Sequence, residues 1–124
     1  MTVNERIEAW FAGREDEYVS ALTPLIAIDS TTGTPEPGKP FGPGPAMALD
    51  AALELARKWG LTTGEDEGYV GTVDLNDQPD QLHILAHLDV VGIGDGWDTD
   101  PFTLVRDGDL IYGRGTDDDK GDRK

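Results

Sequence analysis

The apolar residues of this chain change period once, near Gly60, and that change limits the folds open to it. Before it they recur at helical spacing; after it they fall in short runs broken by Gly, Asp and Asn. The spacing predicts a short helix over residues 4–12, with Asn4 as N-cap and Gly13 as its stop. A second helix is expected over residues 15–28, carried by Tyr18, Leu22, Leu25 and Ile26, with Pro24 set to kink or restart it. A third should run over 46–59, with Leu49, Ala52, Leu53 and Ala56 on one face and Gly60 ending it. Residues 31–45 hold five of the eight prolines and four glycines, which makes them an irregular but structured connection. Past Gly60, residues 69–75 and 82–86 read as strands about a turn at 76–80. Residues 102–105 and 110–112 read as a hairpin around Asp107-Gly108. Helices first and strands after give an α/β class, one portion of a layered domain.

A length of 124 residues allows one domain with a modest core. The net charge is −15, with nine acids and five bases over residues 1–62 and sixteen acids and five bases over 63–124. So acidic a second half excludes a nucleic-acid partner, which needs a basic face. Without cysteine there is neither disulfide nor thiolate ligand, so any metal must be held by imidazole and carboxylate. Zinc, manganese and cobalt suit such donors. No basic-then-apolar leader and no apolar run of about 18 residues is present, so a cytoplasmic protein away from membranes is expected.

Two stretches carry chemistry. The apolar run from Leu82 leads to His87 and Asp89, two positions apart and therefore on one side of an extended chain. A metal-bound imidazole commonly gives its other N–H to a carboxylate, which is one reading of this pair. Asp89 on the metal itself is another, and a hydrogen-bonded histidine without metal is a third. His83, on the same side but four residues earlier, is assigned a structural role. The second stretch, Gly113-Arg114-Gly115-Thr116-Asp117-Asp118-Asp119-Lys120-Gly121, sets three carboxylates in succession. Either a cation offsets their repulsion, or they form a solvated turn with Arg114 and Lys120 as counter-charges.

Taken in order, His87-Leu88-Asp89-Val90-Val91, Gly94-Asp95-Gly96-Trp97, Asp100-Pro101-Phe102, Asp107-Gly108, Tyr112-Gly113-Arg114-Gly115 and Asp118-Asp119-Lys120-Gly121 resemble the signature of the M20 metallopeptidases. The segment Pro35-Glu36-Pro37-Gly38-Lys39-Pro40-Phe41-Gly42 and the helix after it are similar to the PepV-like dipeptidase branch, so the resemblance covers nearly the whole chain. It implies that His87 is a terminal ligand to one metal and that Asp118 bridges two. Asp89 becomes the catalytic-site carboxylate that holds the imidazole. Asp119 and Lys120 shape the loop, Asp117 has no assigned role, and Trp97, Pro101 and Phe102 pack the loop after His87. The implied reaction is hydrolysis of a dipeptide or short N-acyl amino acid, with two zinc ions about 3.5–4 Å apart activating water and a glutamate collecting its proton. The implied fold is a catalytic α/β domain with a smaller lid domain inserted later.

The resemblance also implies residues that these 124 do not supply, namely the general-base glutamate, further carboxylates and a distal histidine. The ending Asp122-Arg123-Lys124 fits no pattern of the family. The expectation is therefore residues 1–124 as the N-terminal portion of the zinc-peptidase catalytic domain, incomplete and without its lid. By itself it should be inactive on its small peptide substrate, marginally stable, and prone to self-association through uncovered sheet edges. Two other readings remain: a carboxypeptidase or deacylase relative, and a non-catalytic acidic module binding cations through Asp117, Asp118 and Asp119.

Overall fold

The computed structural model describes residues 1–79 and 82–121. Asp80, from the expected turn, and the Asp122-Arg123-Lys124 ending lie outside the described residues. The described chain is mixed α/β, with helices preceding strands as the change of period implies. Its elements are α1 (Val3–Phe11), α2 (Glu15–Ile26), α3 (Pro43–Lys58), β1 (Thr62–Asp66), β2 (Val70–Asp74), β3 (Val105–Asp107) and β4 (Leu110–Tyr112). Among the described residues no helix is long and apolar enough to cross a membrane.

The N-cap of α1 is Thr2, not Asn4. Thr2 and Glu5 form a capping box, in which the Thr2 hydroxyl accepts from the Glu5 amide at 3.2 Å and the Glu5 carboxylate accepts from the Thr2 amide at 2.6 Å. Two donors satisfied at once outweigh the single bond Asn4 could offer. Helix α2 passes through Pro24 and ends at Ile26, two residues before the expected boundary. The Ile28 amide turns to the Leu25 carbonyl, which tightens the last turn. Helix α3 begins three residues earlier than the apolar spacing shows, with Gly42 as N-cap and Pro43 in the first turn. Proline suits that place because its fixed φ is helical and its missing N–H had no partner to lose.

The core is small. Leu22, Leu25 and Ile26 of α2 pack with Ala48, Leu53 and Ala56 of α3 and with Val90. The start of α3 approaches the segment after α2 so closely that a Cβ on Gly44 would stand 2.2 Å from the Asp29 carbonyl oxygen. No larger residue fits there without moving backbone. Burial of these few aliphatics, about 1.5–3 kcal/mol for each Leu, Ile or Val and less for each Ala, is the main stabilising force. Helix α1 adds nothing to it: none of its residues is buried, and Arg14 instead covers Trp10 at 4.4 Å from the ring centre.

The strands form two separate antiparallel pairs. β1 pairs with β2 in the register Thr62↔Asp74 to Asp66↔Val70, and β3 pairs with β4 from Val105↔Tyr112 to Asp107↔Leu110. The second hairpin begins three residues later than expected on its first side, because Phe102 is held in a turn whose Asp100 carboxylate accepts the Phe102 amide at 2.9 Å. The larger correction concerns residues 82–86, which form no strand. β2 takes β1 as its partner, and among the described residues the run after residue 81 pairs with no strand. Leu82, Ile84 and Leu85 are consequently 79%, 84% and 96% exposed. His83 is also exposed, and it does not lie inside a sheet.

Candidate metal centre

Chain order brings two loops together over the end of α2. The first runs through residues 87–90, and its anchor is Ser30, fully buried just past that helix. The Ser30 hydroxyl donates to the Leu88 carbonyl at 2.6 Å and the Ser30 carbonyl accepts from the Val90 amide at 3.3 Å. Thr31 and Val90 form an isolated parallel bridge at the same place. His87 and Asp89 therefore flank a pinned residue, although no sheet delivers them.

The second loop, residues 113–121, folds back on itself and onto α2. The Gly121 amide donates to the Gly115 carbonyl at 3.1 Å, and the Tyr18 hydroxyl donates to the Gly121 carbonyl at 2.6 Å. A Cβ at Gly121 would lie 2.4 Å from the Thr116 carbonyl oxygen, so this closure requires glycine. Lys120 donates from Nζ to the Leu25 and Ile28 carbonyls, each at 2.9 Å. The first lies in the last turn of α2, where it also accepts from the Ile28 amide, and the second lies two residues beyond it; a cation there complements the helix dipole. Burial lowers the Lys120 pKa, and the Asp29 carboxylate only partly opposes it.

Arg114 likewise turns away from the acidic triplet. Its guanidinium donates to the Gly92 and Ile93 carbonyls at 3.3 and 3.1 Å and lies 5.1 Å from the Trp97 ring centre. The Trp97 indole donates to that same Ile93 carbonyl at 2.7 Å, which packs the loop after His87. The two counter-charges expected for Asp117, Asp118 and Asp119 thus make their hydrogen bonds elsewhere.

The expected ligands meet at this junction. His87 Nε2 is 3.0 Å from Asp118 Oδ1, across 31 residues of sequence. On the other side of the ring, Nδ1 lies 3.1 Å from the Asp89 carbonyl oxygen and 3.3 Å from Asp89 Oδ1. The His87 amide donates to Asp119 Oδ2 at 3.0 Å. Slight burial opposes protonation of His87, but the Asp89 carbonyl and the Asp89 and Asp118 carboxylates outweigh it and raise the pKa. The carboxylates on either side of the ring therefore favour its charged form.

The donor chemistry fits zinc. Two ligands bound about 2.0–2.2 Å from a tetrahedral ion stand roughly 3.4 Å apart, a few tenths of an ångström beyond the distance here. The pair is accessible, with side chains 50% and 75% exposed for His87 and Asp118. Among the described residues no group of three or more His, Cys, Asp or Glu is placed to hold a metal. Two donors are present, and a closed site uses about four. The anchors Ser30 and Tyr18 were not visible in the sequence as parts of this centre, while Lys120 shapes the loop as the resemblance implies, through contacts that spacing does not show. Lys120 reads there as a counter-charge because the three acids beside it are close in sequence, while the α2 carbonyls are 92 and 95 residues away.

Residues 83–122 match peptidase family M20/M25/M40. Proteins named "Putative dipeptidase" from Staphylococcus aureus strains USA300, NCTC 8325 and COL are each 42% identical over 109 residues, 86% of this chain and 23% of the relative. The chain thus spans about a quarter of the length of the curated relatives it matches. The stretch that joins His87, Asp89 and Asp118 thus lies within the match to the M20/M25/M40 peptidases, and most of the chain is similar to these dipeptidase-named proteins.

Proposed function

We propose that this chain is the first part of the catalytic domain of a zinc-dependent dipeptidase, with His87 and Asp118 as metal ligands and Asp89 as the residue that orients His87. The observation that carries the reading is the 3.0 Å approach of His87 Nε2 to Asp118 Oδ1. The chemistry that two zinc ions supply at such a centre is Lewis acidity toward a peptide carbonyl and toward water. Manganese or cobalt would serve the same donors.

The chain's own residues prepare the site in three ways. Asp89 accepts the Nδ1–H of His87, which keeps the Nε2 lone pair directed outward and raises its basicity. Asp118 presents two carboxylate oxygens, enough to bridge two cations from one side chain. The half-buried Trp97 and Arg114 stack over the loop between them and hold its path. A general base is not among the three residues assembled here, so the 124-residue chain alone is expected to turn over no peptide. Dipeptides are favoured over N-acyl amino acids or longer chains by the names of the relatives.

The test is a chimaera in which this chain replaces the corresponding quarter of one of the S. aureus relatives. It should hydrolyse a dipeptide in a zinc-dependent manner, and His87→Ala should lower kcat/KM by roughly 100-fold or more, the scale of losing a metal ligand that acts in the transition state. A chimaera that is active and indifferent to His87→Ala overturns the assignment.

A further inference from the structure

His87 stands on a run with no strand neighbour, so something other than a sheet must hold it opposite Asp118. Ser30 fixes the residue after it and the residue at Val90, through Leu88 O and Val90 N. Neither contact reaches His87 itself. Its amide is taken by Asp119 Oδ2 at 3.0 Å, while its imidazole meets the carboxylate of the preceding residue, Asp118. Two adjacent aspartates thus grip one histidine at both ends.

We infer that Asp119 is the positioning residue of the metal pair: its carboxylate clasps the His87 backbone and thereby sets the distance between the two ligands. The inference rests on the metal-site reading above. Its physical basis is ring size. Without the clasp, His87 and Asp118 are joined only through 31 residues and the Ser30 anchor. With it, they belong to one small ring closed by the His87 amide and the Asp119 side chain. Holding two donors in such a ring removes freedom that a metal would otherwise have to remove on binding.

The Asp119 backbone is itself secured, because its neighbour Lys120 is bonded to two α2 carbonyls and Gly121 to Tyr18. The clasp therefore transfers the position of α2 to His87. It needs an acceptor at this point, not a charge, so asparagine should substitute for aspartate and alanine should not.

The experiment compares the unaltered chain with Asp119→Asn and Asp119→Ala by amide hydrogen exchange and by zinc titration of the His87 ring resonances. In Asp119→Ala the His87 amide should exchange about 10-fold faster or more, and zinc affinity should fall by about 10-fold, the lower end for loss of an orienting partner. Asp119→Asn should keep both within about threefold of the unaltered chain. The Tyr69 amide, bonded to Asp66 in the first hairpin, serves as the folding control and should not change. Unchanged zinc affinity in Asp119→Ala, or an asparagine variant that behaves like alanine, overturns the clasp alone. A chain whose His87 resonances ignore zinc altogether overturns the metal-site reading and the clasp with it.

Discussion

His87 is the residue on which the site turns, and each of its ring nitrogens has a separate task. Nδ1 faces both the carbonyl and the carboxylate of Asp89. Asp89→Ala removes only one of these acceptors, so zinc affinity should fall near the lower end of the 10–100-fold range for such partners. Calorimetric titration with zinc checks this, and a loss as large as that of His87→Ala would place Asp89 on the metal. The sequence shows this pair well, because spacing by two puts both side chains on one side of any extended segment. It also shows Asp118, by its place in the ordered motif. It does not show Ser30, a lone serine whose role depends on a chain 58 residues away. Nor does it distinguish the three successive aspartates by direction, which only the fold of the loop decides.

Among the elements, α2 is the one that supports the site, and Lys120 is how it does so. Lys120→Met keeps most of the aliphatic stem but removes the ammonium donor from both carbonyls, of which Leu25 keeps the Ile28 amide, at a cost of about 1–3 kcal/mol. A urea titration followed by helical circular dichroism should show the lower midpoint, and an unchanged midpoint would mean that water replaces the ammonium freely. α1 behaves differently, being exposed along its whole length and held at its start by the Thr2–Glu5 box. The hydrogen bonds from the Thr2 backbone and hydroxyl side hold the Glu5 carboxyl below the ordinary glutamate range. A depressed folded-state pKa stabilises above the unfolded value and is lost as pH falls through the folded one. The Thr2 and Glu5 amides should therefore lose exchange protection as the medium becomes acidic enough to protonate Glu5, and Glu5→Gln should flatten that response. Apolar period located α2 and α3 through Leu22, Leu25, Ile26, Leu53 and Ala56, all buried. It missed β1, because Thr62-Thr63-Gly64-Glu65-Asp66 has no apolar alternation to read. That omission led to the wrong partner for β2.

For the molecule as a whole, the contrast is between a small core and a large exposed apolar run. Leu82, Ile84 and Leu85 are nearly as exposed as in an extended chain, beside backbone with no strand partner. Such a run is a template for association, and the net charge of −15 opposes it only at low salt. Sedimentation velocity should show association that grows with salt, and Leu85→Asp should reduce it. A monomer at all salt concentrations would contradict this.

The most direct test of the account is a zinc titration followed through the His87 imidazole resonances, comparing the unaltered chain with Asp118→Ala. The account predicts saturable shifts at Nε2 in the unaltered chain and at least tenfold weaker binding in the variant, as expected for loss of one of two donors. Equal zinc response in both proteins would contradict it, because Asp118 would then be no part of the centre.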